Sequence, residues 1–153
     1  MKINQSNIIT RKVLVVKSAF LGEHKSKILT TNGIIYSKLS AIHLLNNACV
    51  RYASTLEGRI HAAKLMLNYM HKTPVIIAPN IIGAFPTTSY KNVDCVWIFN
   101  HLFSVNELGD GISQIVFSNG MHTTVKASKR VLLKQQQRLH TMLNVFSNLE
   151  REN

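Results

Sequence analysis

The side chains able to do chemistry in this 153-residue sequence are few and scattered. Seven carboxylates are present, and only Glu150 and Glu152, near the end of the chain, stand close enough to suggest divided acid and base roles. The seven histidines are dispersed. No glycine-rich phosphate loop, nucleophile elbow or His-Glu-x-x-His metal motif occurs. The residues therefore point away from an enzyme, and no cofactor is expected. Cys49 and Cys95 read as free thiols of a reducing compartment. The alternative is zinc, with Cys49 paired to His43 and Cys95 to His101, at spacings that match no familiar zinc knuckle.

Cations dominate instead. The chain holds 18 Lys+Arg against 7 Asp+Glu, a net charge of +11, which predicts attraction to polyanions, nucleic acid above all. The excess is uneven: residues 1–75 hold 11 basic and 2 acidic side chains, residues 76–153 hold 7 and 5. A second cluster, Lys126, Lys129, Arg130, Lys134 and Arg138, contains no acid. A DNA-binding protein needs such side chains to neutralise phosphates, and a slim element to enter a groove. Arg suits the narrow A·T-rich minor groove, where negative potential is focused, and an Asn-Gly hairpin tip is slim enough to enter it. Arg51, Arg59 and Lys64 are expected to form one backbone-contacting surface. Lys126, Lys129 and Arg130 beside the Asn119-Gly120 tip are expected to form another, with Asn119 or Arg130 nearest the minor groove. Whether the two make one groove or two faces is left open, and Arg59 and Arg130 serve equally as residues that hold the fold.

The elements that position these residues follow from periodicity. Residues 8–20 are apolar and β-branched and predict a strand. Residues 26–36 predict a hairpin, with Asn32-Gly33 supplying the positive φ angles of a type I′ turn. Ile42, Leu45, Cys49 and Tyr52 mark a helix over about 39–53, capped by Ser37 or Ser40. Leu56, Ile60, Ala63, Leu67 and Met70 mark a second, with Thr55 as N-cap. Leu65, Met66 and Tyr69 fall off that stripe, which implies burial on more than one side or an early end; the continued helix is preferred. Pro74, Pro79 and Pro86 cut the next stretch into extended pieces over 75–78 and 82–85. Residues 96–105 predict a strand, Gly109-Asp110-Gly111 a turn, and 113–117 with 121–126 a hairpin around Asn119-Gly120. A helix spans 128–149. The order predicts one α+β domain over 1–153, with a largely antiparallel sheet, two central helices and a C-terminal helix. On that last helix Leu132, Gln135, Leu139, Met142, Phe146 and Leu149 stand at heptad spacing. The stripe suits self-pairing into a dimer or packing on the chain's own sheet, and both stay open.

No apolar stretch is long enough to span a membrane and no secretory leader is visible, so a cytoplasmic protein is expected. Two other functions fit the composition: an RNA-binding module, which needs exposed aromatic side chains for stacking, and a basic protein-interaction domain.

Cys49-x-x-Tyr52-x-Ser54-Thr55 followed by Glu57-Gly58-Arg59, then Lys72-x-Pro74-Val75, Ile77-x-Pro79, and Phe85-Pro86-Thr87 with Ser89, occur in one order. Cys95-x-Trp97-Ile98, Val116-Phe117-Ser118-Asn119-Gly120, Ser128 and Gln135-x-x-Arg138 follow. In order and spacing this series resembles the competence transcription factor (ComK) family, over roughly 49–138. Ala78 and Thr73 depart from the pattern, which leads one to expect Asp and Pro there. The resemblance implies a transcription activator of DNA-uptake genes that binds paired A·T-rich boxes through the minor groove, as dimers that combine into a tetramer. RNA polymerase is then a further partner. It also implies hand-over to a Clp protease by an adaptor protein. The sequence stops soon after its final helix, before the longer tail to which that recognition is linked.

Overall fold

The computed structural model describes residues 8–151; residues 1–7 and 152–153, and with them Glu152 of the carboxylate pair, lie outside the described residues. The N-terminal β-branched run forms β1 (Val13–Leu21), which turns at Gly22-Glu23 into β2 (His24–Thr30) and then β3 (Gly33–Ser37). The Asn32-Gly33 turn differs from expectation: only the glycine has positive φ, at +138°, so the loop is not type I′.

Two helices follow, α1 (Ala41–Arg51) and α2 (Leu56–Leu67). Ser40 caps α1 by accepting from the His43 amide, and Thr55 caps α2 by accepting from the Gly58 amide at 2.9 Å. Helix α2 ends sooner than its apolar stripe suggests. Asn68 takes the left-handed conformation and closes the helix onto the Lys64 carbonyl. Met70 therefore lies beyond the helix, and Leu65 and Met66 are exposed rather than buried on a second side.

The prolines bracket β4 (Val75–Ala78) and β5 (Ile82–Pro86), as their positions predict. The stretch 96–105 is not one strand but two, β6 (Val96–Phe99) and β7 (Phe103–Gly109), in different sheets. Asn100 makes the break: its side chain accepts from the Gly83 amide at 3.0 Å and donates to the Ile81 carbonyl at 3.1 Å. Strands β8 (Ile112–Phe117) and β9 (His122–Val125) form the last hairpin, and α3 (Lys129–Arg151) closes the described chain. At the β8–β9 tip Gly120 alone has positive φ, and the Phe117 amide bonds the Met121 carbonyl across it.

Six strands pair in the order β3-β2-β1-β6-β5-β4, and β7-β8-β9 make a second sheet; every pairing is antiparallel. The fold is α+β with two central helices and a C-terminal helix, as the element order predicts. Strand alternation sends Val75, Ile77, Trp97 and Phe99 to one face of the large sheet, where Leu44, Leu45, Cys49 and Ile60 of α1 and α2 cover them. Ile76, Phe85 and Ile98 point to the other face, under the small sheet and Leu132, Leu139 and Met142 of α3. A Cβ on Gly83 would lie 2.8 Å from Leu139 Cδ1, so the missing side chain is what lets α3 lie this close to β5. From Leu132 to Met142 the heptad stripe of α3 thus packs on the chain's own sheet, with Phe146 partly buried against it and Leu149 exposed. Its polar member, Gln135, is 2 % exposed.

Candidate nucleic-acid interface

The basic positions singled out in the sequence separate onto two faces. The large sheet stands between α1 and α2 on one side and β8, β9 and the first turn of α3 on the other. Arg51 is exposed at the end of α1, and Lys64 is exposed in the last turn of α2, where its charge complements the helix dipole. Arg59 turns inward. Its Nη2 donates to the Tyr52 carbonyl at 3.2 Å, at the C-cap of α1, and its buried Nε has no partner among the described residues.

On the opposite face Asn119 is exposed, yet both ends of its amide are used within the protein. Oδ1 accepts from the Met121 amide at 3.1 Å, and Nδ2 donates to the Thr31 carbonyl at 3.5 Å, which leans one hairpin tip on another. Lys126 pairs with Asp94 at 3.2 Å in water-exposed surroundings, a contact weak enough for a phosphate to replace. The Lys129 amide donates to Glu107 Oε1 at 3.3 Å. Arg130 is exposed in the first turn of α3.

A third group was not singled out from sequence. Lys17 of β1 stands directly opposite Lys27 of β2, on the same face of the ribbon. Its Nζ donates to Thr123 Oγ1 of β9 at 3.2 Å. Burial lowers the Lys17 pKa from its ordinary value, and the charge of Lys27 lowers it further. Period-two alternation puts Lys25 on that face as well. Like charges directly opposite on neighbouring strands destabilise a ribbon. The Gly22-Glu23 turn alone did not signal this pairing: Leu21 meets His24 across it, and a register shift between Ser18 and Leu21 is what brings Lys17 opposite Lys27. Phe20 is 82 % exposed near the end of the same ribbon.

The aromatic residues weighed for RNA stacking lie mostly inside: Trp97, Phe99 and Phe117 are buried and Phe103 is half-buried. Both thiols are free and buried. Burial pushes the Cys49 thiol up to about 11, against a smaller downward pull from Arg59, and raises Cys95 too. His43 is exposed while Cys49 faces the core, and His101 Nε2 bonds the Arg11 carbonyl. Among the described residues no three His, Cys, Asp or Glu side chains gather as a metal site, and no helix is long and apolar enough to cross a membrane.

A basic α+β unit with lysines aligned across a β-ribbon has the make-up of a polyanion-binding protein. The chain belongs to the ComK family, whose model, described as ComK protein, matches residues 4–149. It is similar to the competence transcription factor of Bacillus subtilis (strain 168), 28% identical over 112 residues. That match covers 71% of this chain and 57% of the relative, so the chain spans little more than half the relative's length. No solved structure matches the chain.

Proposed function

We propose that the chain is a sequence-selective, double-stranded DNA-binding activator of competence genes, holding A·T-rich boxes through phosphate and minor-groove contacts. Its partners are then the duplex, a second copy or a pair of dimers, and RNA polymerase. Family membership and the relative's name support the class. The observation that carries the DNA contact is the Lys17–Lys27 pair, two cations held opposite each other with one of them partly desolvated. Lys17 ties β1 to Thr123 of β9, but the like charge of Lys27 opposite it is a cost to the fold, which a phosphate between the two ammonium groups removes. Phe20 at the end of the ribbon is the kind of apolar side chain that minor-groove proteins wedge between base steps. Arg130 is the groove-reading candidate on the α3 face. Asn119 shapes the tip instead, since its amide is already engaged.

The test compares A·T-rich and G·C-rich duplexes at 50 and 200 mM salt, for the parent and Lys27→Gln. The parent is expected to lose about 10²-fold in affinity between the two salts, because each neutralised phosphate releases counterion. Lys27→Gln should melt no lower than the parent, bind both duplexes more weakly, and reduce the salt slope by about one. A flat salt response, or a Lys27→Gln protein that melts lower and binds as before, overturns the reading. Single-stranded RNA bound in preference to either duplex points to the RNA-binding alternative.

A further inference from the structure

Past the C-terminal end of α2 the chain leaves a pocket of about 370 Å³. Ile60 and Met70 supply its apolar wall. The other lining residues, Lys64, His71, Lys72, Thr73, Ser89 and Tyr90, carry polar or cationic ends on a surface that is mostly apolar. Among the described residues no carboxylate lines it. Thr73 is 4 % exposed, and its Oγ1 is buried with no hydrogen-bond partner among the described residues. A buried hydroxyl without a partner is costly, and this one belongs to a residue that lines the pocket.

The backbone behind the pocket is held from the α3 side. Gln135 Nε2 donates to the Lys72 carbonyl at 2.7 Å, and Arg138 Nη1 donates to the His71 carbonyl at 3.1 Å. These bonds draw two negative carbonyl ends toward α3. Lys72 itself is held at φ +49°, a left-handed conformation that a side chain other than glycine seldom adopts. The turn is thereby fixed from one side by α3, while its side chains border the pocket.

We propose that this pocket binds a phosphoryl group, with Lys64 and Lys72 supplying the charge and the Thr73 hydroxyl a directed donor. The volume exceeds that of a bare phosphate, which leaves room for part of the molecule that bears it. The phosphoryl group can belong to a small phosphorylated ligand or to a nucleic-acid backbone. The site itself does not depend on the DNA-binding reading.

The experiment titrates the full chain with inorganic phosphate, against chloride at equal ionic strength, by calorimetry and thermal melting. Saturable binding is expected. Thr73→Val, which keeps the shape and removes the hydroxyl, should weaken it by about tenfold or more. Without phosphate that variant should melt no lower than the parent, because it loses no internal hydrogen bond. Lys64→Gln, at an exposed position, should weaken phosphate binding with the fold intact, and so serves if Thr73→Val folds poorly. Absence of saturable binding, unchanged binding in both variants, or full phosphate affinity in Lys64→Gln alongside a destabilised Thr73→Val overturns the proposal. A second arm adds A·T-rich duplex. If Thr73→Val weakens the duplex and phosphate competes with it, the group comes from nucleic acid. If duplex affinity is unchanged while phosphate binding is lost, the ligand is a free phosphorylated molecule.

Discussion

Gln135 shows what a single polar side chain does in a closed interior. Its amide nitrogen donates to the carbonyls of Lys72 and Pro86 at 2.7 and 3.0 Å, and its Oε1 accepts from Arg138 at 2.7 Å. Arg138 in turn lies 4.0 Å from the centre of the Tyr69 ring. Gln135→Leu keeps the volume but strands two carbonyls and a guanidinium hydrogen, which should cost about 2–4 kcal/mol. Denaturant titration checks this, and an unmoved midpoint contradicts it. Cys49 makes a second prediction at this scale. Its thiol is pushed up to about 11, from an ordinary value of 9.0, chiefly by burial. Between those values the unfolded chain releases a proton that the folded chain keeps. Stability from this group is therefore complete below about pH 9 and lost as pH rises toward 11. Melts at stepped alkaline pH should show the decline, and Cys49→Ala should fall less steeply than the parent over the same window.

Among the elements, α3 carries the clearest consequence. Its heptad-spaced residues look equally suited to a partner helix, but Leu132, Leu139 and Met142 are spent on the sheet. Self-association through this helix would have to use what these residues leave outside, where Leu133 and Leu149 are exposed. A chain cut near Lys134 uncovers the back of β4 and β5 and removes the Gln135 bonds. It should lose cooperative thermal unfolding by circular dichroism, and a folded, monomeric product in sedimentation would contradict that. What was legible in the sequence at this scale is what local chemistry sets. Ser40 and Thr55 start their helices, the prolines bound β4 and β5, and Asn119-Gly120 turns a hairpin. What was not legible depends on contacts far along the chain. Asn100-His101 interrupt the apolar run after Phe99, but that they divide it between two sheets depends on Asn100 holding Gly83 and Ile81. Asn68 did carry a signal for the end of α2, as a residue that tolerates the left-handed conformation, yet the apolar run through Met70 obscured it.

For the whole molecule, the charge excess and the α+β class could be read from composition and element order, whereas the grouping of the charges could not. Lys17 and Lys27 meet only through strand register, and Arg59 looks like a surface cation until the Tyr52 carbonyl draws it inward. The strand order has a consequence of another kind. The large sheet consists of two antiparallel halves, β3-β2-β1 and β6-β5-β4, joined only along β1 and β6, where Val15 meets Ile98 and Val16 meets Trp97. A chain emerging from the ribosome can close its first hairpins at once. It cannot cover the inner edge of β1 until Phe99 has been made, nor the back of the sheet until α3 follows. The loop that this pairing closes encompasses most of the domain, and such distant pairings slow folding. Until the halves join, the nascent chain presents an apolar, unpaired strand edge to its surroundings, and the interval before that meeting is when it is most exposed to aggregation.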